Sequence, residues 1–148
     1  MLAPPQRLLS FVVLSAAILA GCGQSSGLNG DASKAAQTLT KAFHALGTGD
    51  GATLCSLATP AGQKSLASAV PGSTCPKVVE IVSAHLTSKQ KAALGSVQVK
   101  NVTVKGDQAS VRSSDLSSTS GSFKGFLDPK SAPTKLSKQA DGSWKISG

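Results

Sequence analysis

Val97-Gln98-Val99-Lys100-Asn101-Val102-Thr103-Val104-Lys105-Gly106-Asp107-Gln108-Ala109-Ser110-Val111 is where the chain changes its period. Upstream, apolar residues recur every three or four positions. From Val97 they alternate one in two, as a half-buried strand requires. Val97 and Val99 set one phase, and Val102, Val104, Ala109 and Val111 carry the pattern on. The phase slips by one residue at Lys100-Asn101. Such a slip turns the following side chains to the wrong face, so a β-bulge is expected there to absorb it. Gly106-Asp107 puts Gly first in a two-residue loop, the preference of a type II′ hairpin.

Working back from Val97, the chain reads as helices. Ala35, Ala36, Leu39, Ala42, Phe43 and Leu46 repeat at three and four, one face of an amphipathic helix from Ser33 to Leu46. Asp31 or Ser33 is the expected cap, and Gly47 the expected left-handed stop. A second helix is expected over Asp50 to Ala58, with Leu54, Leu57 and Ala58 inward. Thr59-Pro60 opens a third, since Pro is tolerated at the first helical position behind a Thr cap. Pro71-Gly72 ends it. Cys75-Pro76 starts a fourth, with Val78, Val79, Ile81, Val82 and Leu86 as its buried stripe. Thr87-Ser88-Lys89-Gln90 has capping-box spacing and starts a last turn or two to Leu94.

Working forward from Val111, Ser113 to Ser122 reads as a Ser-rich connector whose one core residue is Leu116. Phe123 to Leu127 is expected as a strand, interrupted by Asp128-Pro129. Thr134 to Lys138 and Ser143 to Ser147 form a final hairpin across Asp141-Gly142, a type I′ signal. Trp144 and Ile146 share one face, directed at the helices. Helices followed by an antiparallel meander define an α+β class with the helices covering one face of the sheet. No internal repeat is evident.

The N-terminus carries a different signal. Arg7, the apolar run Leu8 to Leu19 and the small residues Ala20-Gly21 have the three regions of a secretory signal peptide. The run is well short of the ~20 residues that span a bilayer as a helix. Leu19-Ala20-Gly21-Cys22 resembles the lipobox of bacterial lipoproteins, with Cys22 on the residue that such proteins lipidate. The resemblance implies a diacylglyceryl thioether on Cys22 and removal of residues 1–21. Residues 22–30, rich in Gly and Ser, read as a tether with a span of roughly 15 Å. Residues 31–148 read as one domain. The expected location is the extracytoplasmic face of the cell membrane, held by the lipid.

With Cys22 taken by lipid in that reading, Cys55 and Cys75 remain as an even pair in a disulfide-permissive compartment. A bridge between them would stabilise the fold by roughly 3 kcal/mol in the chain-entropy account. The alternative, a metal site, needs more ligands than two cysteines, and His44 and His85 are not at finger-like spacing. No metal and no cofactor is expected.

Removing Arg7 takes the 15 Lys+Arg of the chain to 14 against 7 Asp+Glu, a net charge of +7. That sign favours anionic surfaces such as lipid headgroups or acidic wall polymers. Lys34, Lys41, Lys64, Lys77, Lys89, Lys91, Lys100 and Lys105 are scattered and form no run, the pattern of a solvated surface. Nucleic acid is a poor partner. The mature chain has Phe43, Phe123, Phe126 and Trp144 as its aromatics and a single Arg, Arg112, whereas such binding uses stacking platforms and arginine forks.

A set of structural motifs extends the resemblance. Ala42-Phe43-His44-Ala45-Leu46 closes the first helix, Gly49-Asp50 opens the second, and Leu54-Cys55-Ser56-Leu57-Ala58-Thr59-Pro60 follows. Val102 to Val111 forms a hairpin and Asp141-Gly142-Ser143-Trp144-Lys145-Ile146 closes the chain. Together these resemble small exported lipoproteins of actinobacterial type in the nuclear transport factor 2-like superfamily, whose cone-shaped fold is shared with ketosteroid isomerase. The resemblance spans Ala32 to Ser147. It implies a curved sheet wrapped by helices around a pocket.

Enzymes of that superfamily place a carboxylate, a tyrosine or a histidine in the pocket. This chain departs from them in having no Tyr. Asp50 reads as a helix cap, Asp107 and Asp141 as turn residues, and Glu80 as solvent-facing. His44 lies off the apolar stripe, and His85 sits where the dipole of a helix end explains it. No catalytic residue is therefore assigned. The expected function is a non-catalytic envelope module binding a small apolar ligand, a lipid or a peptide. The alternative is a scaffold with a self-filled core that binds another envelope protein or an anionic wall polymer.

Overall fold

The computed structural model describes residues 27–120, 123 and 132–148. The signal segment, Cys22 and all but Phe123 of the expected strand Phe123 to Leu127 lie outside them, as does Asp128-Pro129.

Helix α1 spans Gly30–Thr48 and is longer than its apolar stripe at both ends. Asn29 is the N-cap, without a side-chain cap bond, so neither Asp31 nor Ser33 caps the helix. Gly47 does not stop it either. It is buried inside the last turn, where a Cβ would stand 3.1 Å from the Cβ of Leu94. Its missing side chain admits a neighbouring helix, and the left-handed stop falls on Gly49, at φ 76°.

Helix α2 (Gly51–Ser56) is capped by Asp50, whose carboxylate accepts the Thr53 N–H at 3.0 Å. It ends before Leu57 and Ala58 because those residues turn away to join a strand. Helix α3 (Pro60–Ala67) starts as expected, with Thr59 accepting the Gly62 N–H and Pro60 in the first turn. Helix α4 (Cys75–His85) buries Val78, Val79 and Ser83, while Ile81, Val82 and Leu86 are only half-buried. The expected stripe is thus rotated toward Ser83. Helix α5 (Ser88–Gly95) has both capping-box bonds: Gln90 N–H donates to Thr87 Oγ1, and Thr87 N–H donates to Gln90 Oε1.

Strands β1 (Val97–Val99), β2 (Thr103–Lys105) and β3 (Gln108–Val111) follow. Beyond a single 3-10 turn, β4 (Leu116–Ser118), β5 (Thr134–Lys138) and β6 (Trp144–Ile146) complete the described strands. No bulge forms at Lys100-Asn101. The chain instead leaves one sheet and enters another: β1 pairs with β4, and β2-β3-β5-β6 form a four-stranded antiparallel sheet. Changing sheets absorbs the phase slip, and Val99 and Val102 are both buried on either side of it. The Ser-rich connector therefore supplies a strand, β4, with Leu116 opposite Val99.

The Gly106-Asp107 loop joins paired Lys105 and Gln108, with positive φ at Gly106 alone, in keeping with type II′. The last hairpin is not type I′. Gly142 has φ +79° but Asp141 does not share the positive sign, and Gly142 N–H donates to Gln139 O at 2.9 Å. This is a three-residue loop, Ala140 to Gly142, with glycine at its left-handed position.

The described residues thus form a mixed α+β domain of five helices and two antiparallel sheets. Helix α1 organises it. Its first half packs Ala35, Ala36 and Leu39 against Val99, Val111, Leu136 and Trp144 of the sheets. Its second half packs Ala42 and Ala45 against Leu54, Cys55, Cys75 and Val79 of α2 and α4. Cys55 and Cys75 are joined in a disulfide, Cα to Cα 6.1 Å, which staples α2 to the start of α4.

Candidate functional site

The site grows from the way β6 is held at the surface of α1. Thr38 Oγ1 donates to the carbonyl of Trp144 at 3.1 Å, tying the middle of α1 to β6. On the other flank, Ala58 forms a parallel bridge to Ile146. Ile146 N–H donates to Leu57 O at 2.9 Å and Thr59 N–H donates to Ile146 O at 2.8 Å. Residues after α2 thereby serve as a short extra edge to the strand. Gly62 has no side chain because a Cβ there would stand 2.5 Å from Ile146 O.

These attachments enclose a groove of about 280 Å³. One wall is α1, with Lys34, Gln37 and Lys41 on successive turns of one face. Ser56 and Leu57 close it from the end of α2, and Ser143, Trp144 and Lys145 from β6. Three lysines therefore border one groove whose lining includes the buried Trp144. Among the described residues, none of the three lysines belongs to an ion pair.

The carboxylates that feel these lysines are otherwise engaged. Asp31 accepts from Lys138 Nζ at 2.8 Å and from Trp144 Nε1 at 3.3 Å. Those hydrogen bonds, Lys138 first, hold its carboxyl below the ordinary range. Asp141 accepts from Ser143 Oγ at 2.6 Å and Ser143 N–H at 2.9 Å, which lower it likewise. The hydroxyls of Ser56 and Thr38 donate to the carbonyls of Thr53 and Trp144. The lysine ammoniums remain as the strong donors, and what they can hold is negative charge.

A second groove, about 390 Å³, lies further along α1 and shares Lys41 and Leu57 with the first. It brings together His44 and Asp50, two of the residues singled out in the sequence, with Thr53 and Ala45. Asp50 is committed there to capping Thr53, and the bonds from Thr53 lower its carboxyl. Thr40 and Thr48 turn their hydroxyls back to carbonyls of α1. The remaining candidates stay apart. His85 is exposed, with Nδ1 2.8 Å from Ile81 O, and Glu80 is exposed and paired with Lys77 at 3.0 Å. Asp107 is exposed in its hairpin.

No family model, curated protein or solved structure matches the chain.

The groove's lysines were not assigned to a site in the sequence. The spacing of Lys34 and Lys41 by two helical turns is a local signal for a shared face. Lys145 has no local signal linking it to them; the bridge at Ala58 and the bond at Thr38 bring it there. Among the described residues no helix is long and apolar enough to cross a membrane.

Proposed function

We propose that the protein is a membrane-anchored envelope lipoprotein, exported on residues 1–21 and lipidated on Cys22. Its α+β domain is a non-catalytic interaction module that holds an anionic partner in the groove of Lys34, Lys41 and Lys145. The observation that carries this reading is that three lysines, none in an ion pair among the described residues, line one groove whose nearby carboxylates Asp31 and Asp141 are already engaged. The interior supports it as well, because Leu39, Leu136 and Trp144 fill the space between α1 and the sheets. Helices leading into antiparallel strands support the proposed kinship with the nuclear transport factor 2-like cone. In that kinship the binding surface of this chain lies outside the cone.

A second reading has an observation of its own. A small apolar ligand fits the second groove, between Ala45 and Leu57. Native mass spectrometry of the protein, purified from its envelope without reductant or organic solvent, separates the two. An anionic adduct lost in the Lys34→Gln/Lys41→Gln/Lys145→Gln variant supports the interaction module. An apolar adduct that survives the triple substitution moves the function to the second groove.

A further inference from the structure

We infer that the partner of the lysine groove is the anionic phospholipid headgroup of the membrane that carries the protein. The domain then lies with the Lys34–Lys41 face of α1 against the bilayer surface. This rests on the anionic-groove reading and on lipidation of Cys22, and it names the ligand class.

Two observations lead to it. The first is chain length. Only Gly23 to Asn29 separate Cys22 from the first residue of α1. Even fully extended, the eight steps from Cys22 to Gly30 reach no more than about 28 Å. Lys34 stands about 6 Å along the helix axis from Gly30, and Lys41 about 17 Å. Whatever path the linker takes, the groove is confined to a shell next to the headgroups. An anion outside that shell is out of reach unless it comes to the membrane.

The second observation is charge. Lys34 and Lys41 line one face of the helix that begins at the linker, and Lys145 of β6 extends that face sideways. Asp31, on the first turn of the same helix, is neutralised by Lys138 at 2.8 Å. Phosphodiester headgroups present closely spaced single negative charges, which suit several separate ammonium groups better than one deep pocket. The diacylglyceryl group already holds the chain at the membrane with two acyl chains, so attraction of the lysines to anionic headgroups serves to orient the domain on that surface.

The experiment uses the full chain, purified from membranes and reconstituted into vesicles of phosphatidylglycerol or of phosphatidylcholine. A membrane-impermeant amine reagent then labels the lysines, read by mass spectrometry, which also reports the lipid on Cys22. Lys77 and Lys89, on α4 and α5, serve as references. The expected result is roughly fivefold lower labelling of Lys34, Lys41 and Lys145 on phosphatidylglycerol alone, given surface attraction of about 1 kcal/mol per lysine. Protection is lost in about 1 M salt, where the screening length is ~3 Å. Equal labelling on both vesicles overturns the inference. Inorganic polyphosphate added to the phosphatidylcholine sample then separates the failures. If it protects the three lysines, the groove binds anions and the lipid assignment alone is wrong. If it does not, the anionic-groove reading falls too. A protein that carries no lipid on Cys22 overturns the inference outright.

Discussion

Asp31, in the first turn of α1, lies 2.8 Å from Lys138 at the end of β5, 107 residues further along the chain. Its other carboxylate oxygen accepts the indole N–H of Trp144 at 3.3 Å. One side chain thus closes the start of the first helix onto the last two strands. Of the three, Trp144 also lines the lysine groove. The pair is about one-third exposed, so solvent screens it.

That relationship has a pH signature. The hydrogen bonds from Lys138 and Trp144 hold the Asp31 carboxyl below its ordinary value of 3.8. The folded state therefore binds this proton more weakly than the unfolded chain does. Its contribution is present above 3.8 and is lost as pH falls through the lower folded value. Asp31 in turn raises Lys138 above its ordinary 10.5, a contribution present below 10.5 and lost as pH rises through the raised value. Asp31→Asn should lower Tm at neutral pH, and the gap to the parent should narrow as pH falls below 3.8 through the lowered folded value. Thermal melts across that range check it; a gap of constant size would assign the effect to packing.

The disulfide closes a sequence separation of 20 residues between α2 and α4. Cys55→Ser should cost about 2–5 kcal/mol, and reduction of the parent should cost about the same. Denaturant titration with and without reductant measures both. A parent that melts identically in reductant, with its thiols shown to be free, would remove the staple from the account.

Two glycines should respond in opposite directions. A Cβ on Gly51 would stand 2.6 Å from the Cα of Pro76 and closer still to its carbonyl oxygen, all of it backbone next to the disulfide. Gly51→Ala should therefore cost about 1–3 kcal/mol. Gly95, in the last turn of α5, has nothing within 4 Å of such a Cβ. Gly95→Ala should leave stability unchanged or raise it by about 0.5 kcal/mol. Denaturation midpoints of the two variants test the contrast directly.

Leu136 is fully buried on β5, paired with Ala109 of β3 and Ile146 of β6. Leu136→Ala should cost about 2–5 kcal/mol through lost burial and the cavity left behind. The exposed Lys34→Gln should stay within about 0.5 kcal/mol of the parent. A similar loss for both variants in urea would mean that the groove lysines are structural.

Local chemistry was readable at several places where its partners are near in sequence, although the type of the Asp141-Gly142 turn was not. The Thr87–Gln90 capping box, the Thr59-Pro60 helix start and the Gly106-Asp107 loop each depend on residues two or three positions apart, so their spacing carries the whole signal. The apolar stripe of α1 was readable for the same reason. The pairing of Cys55 with Cys75 followed from parity once Cys22 was set aside.

What the chain could not state in advance depends on contacts formed across it. Leu116–Ser118 has no hydrophobic alternation, and it is a strand because Val99 needs a partner for its backbone. Gly47 is the stop that the sequence suggests for α1, but the approach of Leu94 keeps it inside the last turn and the left-handed stop falls on Gly49. The groove is the clearest case. The sequence by itself determined the α+β order, the starts of α2 to α5, the cysteine pair and the basic charge. Only the tertiary structure decided that Lys145 joins Lys34 and Lys41, because burial of Trp144 and the bridge from Ala58 to Ile146 bring β6 against α1. Charge is a property of composition, whereas convergence of charge needs a packed core to hold distant segments together.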